Sequence, residues 1–127
     1  MSEIKNYLGI DWGEKRIGLA TGDNEVKLAL PLTTVGSLAE VIRIINEEQS
    51  DVIVVGDPVK MSGATSNNPQ WLSFIAQLKE KSGKPVELVD ERLSSLAADA
   101  LGGAANETAG RDEIAAAILL QQYLENT

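Results

Sequence analysis

Apolar and polar positions follow two periods along the chain, and the switch between them marks where strands give way to helices. Residues 6–11 and 16–22 are short, apolar, glycine-bearing runs separated by Trp12-Gly13-Glu14-Lys15, and they read as a hairpin. Residues 25–32 supply a third antiparallel strand, ended by Pro31. Ser37 and Glu40 stand at capping-box spacing, and Leu38, Val41, Ile42 and Ile45 then recur at helical intervals, which predicts a first helix to about Gln49. Residues 51–56 (DVIVVG) form the continuous apolar run of a parallel strand covered on both faces, and the pattern puts that strand at the centre of the sheet.

A glycine-, serine- and asparagine-rich loop follows over 57–67, and Asn68-Pro69 then supplies a cap and a first helical residue. Trp71, Leu72, Ile75 and Leu78 make the apolar stripe of a second helix, which stops near Ser82-Gly83 with Lys79, Lys81 and Lys84 suiting its C-terminal dipole. Residues 85–91 read as a strand, 93–101 as a short helix, 102–110 as a loop and 111–124 as a long last helix. The order is βββαβαβαα: an α/β fold with a mixed five-stranded sheet, helices on both faces and right-handed crossovers between parallel strands.

Length and composition narrow the chemistry. A chain of 127 residues suits one compact domain over 1–127. It lacks a membrane-length apolar run and a secretory leader pattern, so a cytoplasmic protein is expected. With no cysteine and no histidine it offers no thiolate, no imidazole base and no zinc site of the usual kind, which leaves carboxylates, lysine, tyrosine and hydroxyls. A formal charge of −8 opposes nucleic-acid binding in general, so the placement of the eleven basic residues matters more than their number.

Asp11 falls at the end of the first strand, Asp90 and Glu91 at the end of the last, and ligands of open α/β sheets gather outside strand ends. Asp112 starts the final helix, where Ala115, Ala116 and Ala117 allow close approach to the sheet. Acids converging there repel one another unless cations lie between them, and such a cluster suits Mg²⁺ or Mn²⁺, with two ions about 4 Å apart serving phosphodiester hydrolysis. Taken singly, each acid has an ordinary structural reading: a turn cap for Asp11, a surface pair with Arg92 for Glu91, a helix-dipole acid for Asp112.

Four stretches, GIDWGEKRIGLATGD, VVGDPVKMSG, PVELVDERLSS and RDEIAAAILLQQYL, together resemble the YqgF family, also called RuvX, in order and over essentially the whole chain. These are ribonuclease H-like nucleases described as Holliday junction resolvases or pre-16S ribosomal RNA nucleases. The resemblance implies an acidic triad of Asp11, Glu91 and Asp112 as catalytic residues and metal ligands. It also matches Lys15 and Arg16 to a Lys-Arg pair after the first strand, Arg92 to the arginine following the glutamate, and Gly56, Pro58, Met61 and Gly63 to the loop after the central strand. Asp57, Lys60 and Ser62 depart from the family pattern there, and residues 102–110 lack the basic residues that related sequences carry.

Lys15, Arg16, Lys60, Arg92 and Arg111 nevertheless fall in or beside the loops of the proposed metal edge, a local positive rim on an acidic protein. Of these, Lys15, Arg16, Lys60 and Arg92 are the substrate-binding candidates. Trp12 caps the hairpin or stacks on a base, with the structural role favoured. The reading is a metal-dependent nuclease acting on structured nucleic acid, processing the 5′ end of pre-16S rRNA, with ribosomal assembly intermediates as partners and a monomer or homodimer as the working unit. The alternatives are a Holliday junction resolvase acting on branched DNA, a non-catalytic assembly factor, and a nucleotide-binding protein on an actin-like core.

Overall fold

The computed structural model describes residues 4–57, 68–90 and 111–126. Its strands are β1 (Asn6–Trp12), β2 (Ile17–Asp23), β3 (Leu30–Val35), β4 (Val52–Asp57) and β5 (Val86–Asp90); its helices are α1 (Leu38–Glu47), α2 (Pro69–Ser82) and α3 (Arg111–Glu125). The strands form one sheet in the order β3-β2-β1-β4-β5. β2 runs antiparallel to both neighbours, whereas β1, β4 and β5 are mutually parallel. The mixed sheet is as expected, with one adjustment: β4 is an interior strand, and β1 is the middle one. The short helix predicted over 93–101 and the loop over 102–110 lie outside the described residues.

Side-chain alternation divides the core into two layers. Leu8 and Ile10 of β1, Ile17 and Leu19 of β2, and Ile53 and Val55 of β4 pack with Val41, Ile44 and Ile45 of α1 and with Trp71, Phe74, Ile75 and Leu78 of α2. The opposite face presents Tyr7, Ala20 and Val54 to Ala116, Ala117, Leu119, Leu120 and Leu124 of α3. β4 is thus apolar on both faces because helices cover both, as its unbroken run of Val and Ile requires.

Local signals set the helix ends. Ser37 Oγ accepts from the Glu40 N–H at 3.3 Å, while the Glu40 carboxylate accepts from Gly36 N–H at 2.7 Å, so the returning half of the capping box reaches one residue beyond its usual target. Asn68 Oδ1 accepts from the N–H groups of Gln70 and Trp71, with Pro69 at the first helical position. Gly83 closes α2 in the left-handed region at φ 66°. α1 ends two residues earlier than predicted: Gln49 adopts φ 54°, and the Ser50 N–H donates to the Ile45 carbonyl at 3.0 Å. That is a Schellman closure made without glycine.

Three expectations are corrected. The third strand begins at Leu30 rather than residue 25, because Asp23 Oδ1 accepts from the N–H groups of Glu25 and Val26 and folds that segment into a turn. Pro31 lies inside the strand instead of ending it: Ala20 pairs with Pro31 and Leu19 with Thr33, so Leu32 is an extra residue in the ladder. A bulge on an edge strand tolerates a residue that has no N–H to donate. On α2 the buried stripe is Trp71, Phe74, Ile75 and Leu78, and Leu72 is 47% exposed.

Candidate active site

The end of the sheet where β1 finishes and β2 begins collects the predicted chemistry. Asp11 is the penultimate residue of β1 and stands in register with Gly18 of β2, which in turn pairs with Thr34 of β3. Alternation places Asp11 on the same face of β1 as Tyr7, the face covered by α3. Gly18 has no side chain, and the backbone of Asp112 occupies the space one would fill. A Cβ built on Gly18 would lie 2.0 Å from the Asp112 carbonyl oxygen and 2.8 Å from its Cβ. The first turn of α3 therefore rests on the residue facing Asp11 across the ladder, and two acids distant in sequence are brought to one place.

The same device repeats along the helix. A Cβ on Gly9 would meet Leu120 Cβ at 2.8 Å and the Ala116 carbonyl at 3.0 Å, and one on Gly22 would meet Leu124 at 2.9 Å. Positions 112, 116, 120 and 124 form one i,i+4 row of α3, and that row tracks small residues on β1 and β2. The alanines of α3 were expected to permit close approach, and Ala115, Ala116 and Ala117 are indeed buried. Gly18 is the partner that reading the helix alone misses. The signal for it was present: in Ile17-Gly18-Leu19-Ala20-Thr21-Gly22, every position on one strand face is Gly or Ala.

Charges at this edge are arranged around Asp112. Arg16 Nε lies 3.2 Å from Asp112 Oδ2, with the two side chains 75% and 29% exposed. The neighbouring Glu113 accepts a hydrogen bond from Thr34 Oγ1 at 3.1 Å and is thereby tied to β3. Asp112 also lies in the first turn of α3, where the helix dipole favours a negative group. Lys15 is exposed in the hairpin connection. Trp12 turns to the other face, where its ring packs 6.1 Å from that of Phe74, the structural role favoured for it.

The remaining candidates are placed only in part. Asp57 and Asp90 are the last residues of β4 and β5 and stand in register with each other. Glu91, which follows Asp90 in sequence, lies outside the described residues, as do Lys60 and Arg92. Among the described residues, no three carboxylates form a group able to hold a metal ion; of the expected triad, Asp11 and Asp112 are the two members described, and both stand at this strand end. Both donors are hard carboxylate oxygens, the type that suits Mg²⁺ or Mn²⁺. A groove of about 360 Å³ lined by Asn6, Thr21, Asp23, Glu48 and Ser50 opens at the other end of the strands, away from these acids.

Residues 5–126 match the family model described as RuvX: Holliday junction resolvase. The chain belongs to the RuvX family. Among its curated relatives, a protein of Anaeromyxobacter is 37% identical over 94% of this chain and 96% of its own length, and one of Chloroflexus aurantiacus is 36% identical over 93% and 85%. A Picosynechococcus relative is 38% identical over 93% and 90%. All three carry the name "Putative pre-16S rRNA nuclease". Among solved structures, Thermus thermophilus RuvC in complex with a Holliday junction substrate superposes with a TM-score of 0.63 at 16% identity, covering 96% of this chain and 94% of that one. The RuvX chain thus has the ribonuclease H-like fold that its sequence implied.

Proposed function

We propose that this RuvX protein is a metal-dependent nuclease that hydrolyses phosphodiester bonds in structured nucleic acid, with pre-16S rRNA as its substrate. The observation that carries the reading is the seating of Asp112 on Gly18 opposite Asp11, which brings two acidic residues to the same strand end. The names of relatives at 36–38% identity favour ribosomal RNA over branched DNA. Gly9, Gly18 and Gly22 are accounted for by the approach of α3, and Gly13 by the Arg16 carbonyl across the hairpin turn, so they do not call for a nucleotide phosphate.

In this reading Asp11 and Asp112 would hold Mg²⁺ or Mn²⁺, with Glu91, next in sequence after β5, as the third ligand. Bound there, two such ions would supply Lewis acidity for activating water and for the charge on the departing oxygen. Asp11 contributes from a strand inside the sheet and Asp112 from a helix pinned by backbone contact, so neither carboxylate depends on a loop for its place. Lys15 and Arg16 lie exposed beside them and bind the phosphate backbone, with Lys60 and Arg92 extending the rim. Nothing in this set reads base edges, and recognition rests on the shape and backbone of the nucleic acid. The protein acts in the cytoplasm on ribosomal precursors.

The test is cleavage of a precursor 16S rRNA fragment and of a synthetic four-way DNA junction, with Mg²⁺ or Mn²⁺, by wild type, Asp11→Asn and Asp112→Asn. Cutting of the RNA that both variants lose is the expected result. Cutting of the junction alone would assign the protein to DNA, and cutting that survives both substitutions would overturn the site.

A further inference from the structure

We infer that Arg16 is an exchangeable counter-ion: its guanidinium neutralises Asp112 in the metal-free site and leaves when a divalent cation binds, which frees it for the phosphate of the substrate. The inference rests on the metal-site reading above, and it concerns what the ion pair is for.

Positioning is not its purpose. The backbone of Asp112 is already fixed by contact with Gly18 and by the docking of α3, so its carboxylate reaches the site without help. Charge compensation is what remains. Asp11 and Asp112 stand at one strand end, where negative charges gathered close together disfavour one another. Arg16 supplies a positive charge there, and Glu113, tied to Thr34, adds another negative one close by.

The geometry also makes the pair easy to break. Its contact runs through Nε, at 3.2 Å, and not through the two-pronged end of the guanidinium, and the arginine side chain is 75% exposed. Exposed pairs of this kind contribute little and yield to competitors. A divalent ion on Asp112 would use the same carboxylate and would repel Arg16, so the two cations exclude each other. A phosphate at this edge can accept both prongs of the guanidinium, which the Nε contact with Asp112 leaves free. A phosphate that draws Arg16 away thus favours the ion, and by linkage the ion favours the phosphate.

The experiment is titration of the nucleic-acid-free protein with Mn²⁺, followed by the paramagnetic signal of the free ion, for wild type, Arg16→Gln, Arg16→Lys, Asp112→Asn and the Arg16→Gln/Asp112→Asn double variant. Circular dichroism melts confirm that each is folded. Arg16→Gln is expected to bind Mn²⁺ about two- to fivefold more tightly than wild type, the ratio a surface ion pair is worth. Arg16→Lys should fall between them, and the double variant should bind no better than Asp112→Asn. An Arg16→Gln affinity equal to or weaker than wild type, with Asp112→Asn still impaired, overturns the counter-ion role and leaves the metal site standing. An Asp112→Asn affinity equal to wild type, or no Mn²⁺ binding by wild type, removes the metal site and the counter-ion role with it.

Discussion

A methyl group at position 18 would lie 2.0 Å from the Asp112 carbonyl oxygen, a contact that only movement of β2 or of the first turn of α3 can relieve. Gly18→Ala should therefore lower stability by about 1–3 kcal/mol, as overpacking of a close contact does. It should also displace Asp112 and abolish metal-dependent cleavage; urea unfolding and the rRNA cleavage assay check the two effects. Gln49 offers the opposite test. It holds a left-handed conformation at φ 54° at the end of α1, where a glycine carries no Cβ penalty, so Gln49→Gly should raise stability by about 0.5–1 kcal/mol in the same urea experiment. These two residues also show what a sequence conceals at this scale. Asp11 and Asp112 were readable because acids at a strand end and a helix start are conspicuous. Gly18 was marked only as one small residue on a strand face of Gly and Ala, because what fills that face is a helix that the chain reaches far downstream. Gln49 gave no signal at all, since the usual marker of its conformation is glycine.

At the scale of elements, α3 carries the fold and the site together. Leu120 is fully buried and abuts Gly9, so Leu120→Ala opens a cavity between helix and sheet and should cost about 2–5 kcal/mol, with Asp112 loosened as α3 loses its seat. Near the other end of the same helix, Tyr123 packs against Tyr7 with the rings tilted at 53° and their centres 5.6 Å apart. Its phenol titrates above the ordinary tyrosine value, first because burial disfavours the phenolate and then because Glu87 and Tyr7 add negative charge. The folded state thus holds this proton more tightly than the unfolded chain does. Its contribution is complete below about pH 10 and is lost as pH rises through the folded-state value. Thermal melts between pH 9 and 11 should show that decline, and Tyr123→Phe should flatten it. Elements with strong periodicity were readable in advance, as in α1, α2, β4 and the hairpin. The third strand was misplaced because the apolar residues around Val26 and Leu28 look like a strand until Asp23 folds them into a turn, and Leu72 was misassigned because a stripe one residue wide of the true face has the same spacing.

For the whole molecule, the formal charge of −8 and the task of holding a polyanion pull in opposite directions, and their resolution is local. Lys15, Arg16, Lys60, Arg92 and Arg111 are the basic residues in or beside the segments that the sequence order assigns to the proposed catalytic edge, and the acidic remainder of the surface repels phosphate. The number of phosphates that such a protein neutralises is bounded by those five cations. Since each phosphate contact releases a fixed share of counterions, the plot of log K against log salt should be no steeper than about −3.5 for single strands and about −4.5 for duplex. Lys15→Ala should reduce the slope by about 0.7–0.9 with little change in which substrate is preferred, because a backbone contact carries no sequence information. Fluorescence anisotropy of an rRNA fragment across a salt series, on an Asp11→Asn background that does not cut, measures both. A slope well beyond five contacts would mean that cationic surface elsewhere takes part, and the acidic body would then have to be folded out of the binding path. A shallow slope means that an acidic protein holds nucleic acid only where its carboxylates, its metal and its few cations coincide, so that weak general attraction itself confines binding to the cleavage site.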